Sequence, residues 1–227
     1  MTRTTSPTRP HHRCSQLVFG GGVFTAAAGT AHLTAATVWG ALHGLQTFSQ
    51  LFSDRACRCD ATAVTVADRP RFGWRGFMVD SGRQFIPMPL IFATVDAMAY
   101  GKMNVLHWHL TDDEYFSFES HTYPQLAQRA AGIPGRVYSH ADLAAVIQYA
   151  AERGVRVLPE VEAPGHGAGW SLAFPDMLTD CRPSANSAAY TRPMWPLGSK
   201  VAGRVAAVLA EVSEGAGDTV ICCCTPV

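Results

Sequence analysis

The chain has 227 residues, 48% of them hydrophobic and 16% charged, and its eighteen basic and eighteen acidic side chains give a formal charge of zero. That composition suits one globular domain of fair size, or a domain with the remnant of another. It excludes the long-range pull on polyanions that a nucleic-acid binder exerts, and no stretch approaches the ~20 apolar residues of a membrane span.

Residues 1–13 are basic and polar and lead into a small-residue apolar stretch from Leu17 to Ala28. This is the outline of a secretory leader, interrupted by Gly20-Gly21-Gly22. From Thr34 to Phe52, Ala35, Val38, Trp39, Leu42, Leu45, Phe48 and Leu51 recur at helical steps. A possible strand over Ala61–Val66, followed by Pro70, reads as the linker into a new unit. From Trp74 the rhythm becomes strand, loop, helix. Gly76–Val79 is a short apolar strand ended by Asp80-Ser81-Gly82. Pro87–Tyr100 is an amphipathic helix with proline near its start, where a missing N–H does no harm. Asn104–Leu110 is a second strand. Asp142–Arg153 is a helix capped by Ser139 or by His140-Ala141-Asp142 and closed by Gly154. Val155–Val161 is a third strand, Val201–Val212 a further helix and Thr219–Ile221 a possible fourth strand.

Strands alternating with helices predict a parallel α/β sheet. Polar residues crowd the carboxyl end of each strand: Asp80 and Arg83, then Asp112 and Asp113, then Glu160, Glu162 and His166. Parallel folds place their chemistry at that edge. Roughly 155 residues follow Arg71, whereas a closed barrel takes about 250. The sheet is either small and open or an unfinished barrel.

Seven cysteines stand at positions 14, 57, 59, 181, 222, 223 and 224. Cys57-x-Cys59 and the Cys222-Cys223-Cys224 run lack the paired spacing of a zinc knuckle, and adjacent cysteines rarely meet disulfide geometry. They read as incidental.

The densest constellation is His107-Trp108-His109-Leu110-Thr111-Asp112-Asp113. Alternate strand residues share a face, so His107 and His109 point the same way. Such a pair can hold a metal, pack within the sheet or contact a ligand directly. Arg75 is either a surface cation or, at the head of an apolar strand, a guanidinium in need of paired acceptors or substrate hydroxyls. Asp80 and Arg83 could pair with each other. Pro159-Glu160-Val161-Glu162-Ala163-Pro164-Gly165-His166 fixes a rigid loop. There His166 is either a satisfied loop histidine or the partner of Asp112 in a pair that tunes a third group.

Three segments together resemble the family 20 glycoside hydrolases, the β-N-acetylhexosaminidases. They are Arg75–Arg83, Met98–Asp113 and Val157–His166, in matching order and separation. The Met103–Asp113 string is the most specific of them. Thr37–Leu51 also resembles the helix that closes the family's small N-terminal α/β domain, so the likeness runs from about Leu33 to about Cys181.

The resemblance implies the first half of a (β/α)8 TIM barrel over 67–227, preceded over 33–66 by the end of the small α/β domain and a linker, with 1–32 unassigned. It implies removal of terminal N-acetylhexosamine from a glycan or glycoconjugate with retention. The sugar's own 2-acetamido oxygen is the nucleophile, an aspartate orients it, and the following glutamate is acid and then base. Arg75 would hold sugar hydroxyls, and Asp112 and His166 would form the relay that sets the glutamate's protonation. No metal or other cofactor is implied, and the family's compartments are lysosomal, secreted or periplasmic.

This chain departs from the family in three places. Glu162 stands where aspartate is common. The N-terminal domain is represented only by its last helix. The Gly-Gly-Asp-Glu string expected after the fourth strand is replaced by Gly217–Val227, and neither Glu214 nor Asp218 matches its motif. A truncated, inactive hydrolase is therefore expected. The alternatives are a non-catalytic carbohydrate-binding fragment and a metal-dependent hydrolase built on His107 and His109.

Overall fold

The computed structural model describes residues 24–27, 30–51, 65–179, 193–195, 199–216 and 221–223. The chain divides into one unit of Met1–Gly73 and another of Trp74–Val227.

In the first unit, strands β1 (Phe24–Ala27) and β2 (Thr30–Leu33) form an antiparallel hairpin. The short β3 (Thr65–Val66) pairs with the other side of β1. Helix α1 (Val38–Ser49) begins where the Thr37 hydroxyl accepts a hydrogen bond from the Gly40 N–H at 3.0 Å. Its buried positions are Gly40 and Gly44, while Val38, Leu42 and Leu45 are exposed.

The second unit is built on four parallel strands in the order β4 (Gly76–Asp80), β5 (Val105–Thr111), β6 (Arg156–Glu162) and β7 (Ile221–Cys223). Each strand lies beside the next in sequence. A doubly wound sheet reverses its strand order at a switch point, and among the described strands there is no reversal. This is the winding of a (β/α) barrel.

Helices α2 (Met88–Tyr100), α4 (His140–Glu152) and α6 (Ser199–Ala216) connect the strands. Their buried positions recur at helical steps: Ile91, Val95 and Met98, then Leu143, Val146 and Ala150, then Val201, Val208 and Val212. Each large apolar side chain so placed contributes roughly 1.5–3 kcal/mol of burial. Helix α4 starts with a capping box, in which Ser139 and Asp142 each accept the other's backbone N–H at 2.9–3.1 Å. On β5, Leu106, Trp108 and Leu110 belong to the core, and the Trp108 ring packs edge-on against Tyr138 at 4.9 Å.

Several short elements lie outside the sequence expectations. The stretch resembling a leader ends in β1, and β2 also falls in the span left unassigned. Helices α3 (Gln125–Ala130) and α5 (Ala168–Ala173) are six residues each, too short for an apolar period to show. The fourth strand is Ile221–Cys223, slightly later than its β-branched residues suggest. Of the cysteines, positions 14, 57, 59, 181 and 224 lie outside the described residues.

Candidate active site

The site forms where β5 and β6 end. Register sets Met78 beside His107 and His109 beside Glu160, and the pairing of β5 with β6 shifts between His109 and Thr111. His107 and His109 share a face, and one oxygen of Glu160 serves both: Oε2 lies 2.6 Å from His107 Nε2 and 2.6 Å from His109 Nδ1. The other ring nitrogen of His109, Nε2, lies 2.9 Å from Asp112 Oδ2.

Asp112 is the hub, with only 2% of its surface exposed. Its Oδ2 accepts from His109 and from the Arg83 guanidinium at 2.7 Å. Its Oδ1 accepts from the Asp113 backbone N–H at 2.6 Å and faces His166 Nδ1 at 3.0 Å. Burial pushes this carboxyl up, but the hydrogen bond from Arg83, the Asp113 N–H and His109 outweigh it and hold the group at about 2. For His109 the balance runs the other way. Burial pulls the imidazole down, and its hydrogen bonds to Glu160 and Asp112 raise it to about 9. Glu162 is pushed up by burial and by the neighbouring Glu160. Its Oε2 stands 3.9 Å from His109 Nδ1.

Close backbone approach brings these groups together. A Cβ at Gly82 would come within 2.8–2.9 Å of Thr111 and Asp112, and one at Gly169 within 2.6 Å of the Asp112 carbonyl oxygen. Glycine at both positions lets the loop after β4 and the start of α5 close on the end of β5. Asp113 Oδ1 accepts from the Ala168 N–H at 2.8 Å, tying the two loops together. His166 has φ +46, a left-handed conformation that costs a non-glycine residue on the order of 1 kcal/mol and persists where surrounding contacts impose it.

Of the residues singled out from sequence, the structure brings Asp112 and His166 into direct contact and leaves Arg75 elsewhere. Arg75 precedes β4, at the amino end of the sheet. Its Nε donates to the Lys102 carbonyl at 2.7 Å, and its N–H to Asn104 Oδ1 at 2.9 Å. The strand's direction sets Arg75 and Asp112 toward opposite ends of the sheet: five residues at ~3.3 Å each separate the two ends. The cation at the carboxyl edge is Arg83, whose side chain bridges Asp112 and Glu114. Asp80 accepts the Arg83 backbone N–H at 3.1 Å instead of its guanidinium.

Two groups of ligand-type atoms cluster here, His109 with Glu160 and Glu162, and Asp112 with Asp113 and His166. Glu160 Oε2 already lies 2.6 Å from both His107 Nε2 and His109 Nδ1, so the two imidazoles share one carboxylate oxygen. No helix of the described residues is long and apolar enough to cross a membrane.

A sequentially wound parallel sheet carries a buried carboxylate between a guanidinium and two imidazoles at its carboxyl edge, the edge where barrel folds place their chemistry. Comparison with known proteins makes this specific. Residues 72–222 match the glycosyl hydrolase family 20 catalytic domain, and residues 23–51 match a domain described as beta-acetyl hexosaminidase like. The chain is 40% identical to the human beta-hexosaminidase subunit beta over 183 residues, covering 80% of this chain and 33% of that one. It is 44% identical to the rat subunit beta over 150 residues, covering 66% and 28%. Among solved structures, the Flavobacterium johnsoniae chitobiase superposes with a TM-score of 0.73 at 30% identity, over 86% of this chain and 30% of that one. The chain belongs to glycosyl hydrolase family 20, and it spans about a third of the length of the curated relatives it matches.

Proposed function

We propose that this chain carries the first part of a β-N-acetylhexosaminidase active site, directed at terminal N-acetylhexosamine of a glycan or glycoconjugate. The observation that supports it is the Asp112–His166 contact at 3.0 Å, held at the carboxyl edge by Arg83. In substrate-assisted hydrolysis the acetamido oxygen attacks the anomeric carbon while a protein acid protonates the leaving oxygen. An ionised Asp112 holding His166 Nδ1–H leaves Nε2 of that ring to set the protonation of the acid. This is the relay that the family resemblance assigns to the pair.

The hydroxyl-holding cation in this reading is Arg83, not Arg75. A guanidinium carries five N–H donors in a planar fork, and Arg83 directs it to the edge where a sugar would lie. The 227 residues contain no Gly-Gly-Asp-Glu string, so the reading gives this polypeptide sugar binding without hydrolysis. The test has two arms. N-acetylglucosamine at millimolar concentration is expected to perturb the NMR signals of Arg83 and His166, and nitrophenyl N-acetyl-β-glucosaminide is expected to release no nitrophenol above background. Sugar that leaves both residues unmoved would remove the binding assignment. Turnover lost in His166→Ala would show that the chain carries an acid of its own.

A further inference from the structure

Beyond Asp112 and His166, two imidazoles and a carboxylate continue the same line of contacts into the sheet. His107 Nε2 meets Glu160 Oε2, which meets His109 Nδ1; His109 Nε2 meets Asp112 Oδ2, and Asp112 Oδ1 meets His166 Nδ1. Three imidazoles alternate with two carboxylates, and every junction is 2.6–3.0 Å.

We propose that Glu160 and His109 are positioning residues that act through Asp112 to fix the orientation and hydrogen bonding of His166. The inference deepens the hydrolase reading and rests on it for its catalytic meaning.

The chemistry of the junctions sets the roles. An ionised carboxylate only accepts hydrogen bonds. His109 lies between two carboxylates and donates from both nitrogens, which makes it an imidazolium. That cation pins Asp112 Oδ2 and leaves Oδ1 for His166. Glu160 is the group that keeps His109 doubly protonated, and His107 anchors Glu160 from its other side. The further charged groups facing His109 are Glu162 from β6 and Asp80 from β4. Those facing Asp112 are Arg83 and His166, with Asp113 3.7 Å from the same His166 nitrogen. Arg83 is half exposed, whereas His109 and Glu160 are buried, so the inner contacts are shielded from salt and solvent.

Histidine-selective nitrogen NMR on the full 227-residue chain tests this. The wild type is expected to show both ring nitrogens of His109 protonated at neutral pH, and a His166 Nδ1–H signal displaced downfield by Asp112. In Glu160→Gln, His109 should lose one proton at that pH and the His166 signal should move. Glu160→Asp should restore both. A folded Glu160→Gln protein, judged by unchanged Trp108 and Tyr138 signals, with His166 at its wild-type position would overturn the proposal.

If Glu160→Gln does not fold, the wild type alone decides. Raising pH until His109 deprotonates must shift the His166 signal over the same interval, and an unmoved His166 sinks the coupling. Addition of N-acetylglucosamine separates the two readings. Coupled histidines without a sugar response would count against the hydrolase reading only, and a sugar response at His166 without coupling would count against the positioning role only.

Discussion

Asp112 and Glu211 are both buried carboxylates, and the groups that hold them differ in kind. Glu211, on α6, accepts from the Ser120 hydroxyl at 3.0 Å and from the backbone N–H groups of His121 and Thr122 at 2.8 and 2.9 Å. Burial pushes Glu211 up, and these neutral donors from Thr122, His121 and Ser120 together hold it below its ordinary value. Its histidine neighbour, His140, stacks on His121 at 3.9 Å between ring centroids and stands 3.5 Å from Glu211 Oε2. Glu211 therefore fastens a loop to a helix. Asp112 is surrounded instead by a guanidinium and two imidazoles, groups whose charge or orientation a substrate can use. Two buried acids can be equally satisfied while their donors differ, neutral groups at Glu211 and a guanidinium with imidazoles at Asp112.

The largest expected effect comes from breaking the charged hub. Asp112→Asn leaves the buried His109 cation facing an amide, and the loss of one partner of a buried ion pair costs on the order of 3 kcal/mol. Urea denaturation at neutral pH measures it, and a change below ~1 kcal/mol would mean that the pairs at Asp112 are screened as surface pairs are.

The pH dependence follows from the same contacts. His109 is raised from 6.5 to about 9, so its stabilisation is complete below pH 6.5 and is lost as pH rises through about 9. The loss amounts to about 3 kcal/mol at most. Asp112 is lowered from 3.8 to about 2, so its contribution is complete above that ordinary value and is lost as pH falls through about 2. Unfolding curves between pH 6 and 10 should decline for the wild type and flatten in His109→Gln. Parallel decline in both would place the alkaline transition elsewhere.

These contrasts also mark how far the sequence reaches. The apolar runs of β5 and β6 and the amphipathic periods of α2 and α4 specify the parallel layer, because burial on one or both faces leaves a pattern in the chain. The rule for parallel sheets, which puts chemistry at carboxyl ends, points to the end of β5 and the loop after β6, where Asp112 and His166 meet at 3.0 Å. The same rule, applied to the direction of β4, disfavours Arg75 and favours Arg83, eight residues later on the other side of the strand. The roles of Glu160 and His109 depend on strand register, which is set by tertiary pairing. Glu211 and the Ser120 loop lie about 90 residues apart in sequence, and no local signal links them. The hairpin of β1 and β2 is built from short strands rich in alanine and threonine, with too little alternation to separate from a leader.

Glu211→Gln is a milder break than Asp112→Asn. Its amide keeps one acceptor for three neutral donors and places an N–H2 where an oxygen accepted, at a cost of about 1–2 kcal/mol. The loss should appear as faster proteolysis or hydrogen exchange around 119–123 and leave any sugar response at His166 intact. A drop matching that of Asp112→Asn would erase the distinction between anchor and hub.

The smallest effect separates the two arginines. Arg75 holds the amino ends of β4 and β5 together through the Lys102 carbonyl, a contact at the sheet's remote edge. Arg75→Ala should cost about 1 kcal/mol of stability and leave the N-acetylglucosamine response at His166 unchanged. Arg83→Ala removes a half-exposed partner of Asp112, so its stability cost should be comparably small, while the sugar response should weaken at least tenfold. Titrating sugar into the two variants side by side compares them directly. If Arg75→Ala abolished the response while Arg83→Ala kept it, the sugar would sit at the amino end of the sheet, where neither Asp112 nor His166 could reach it.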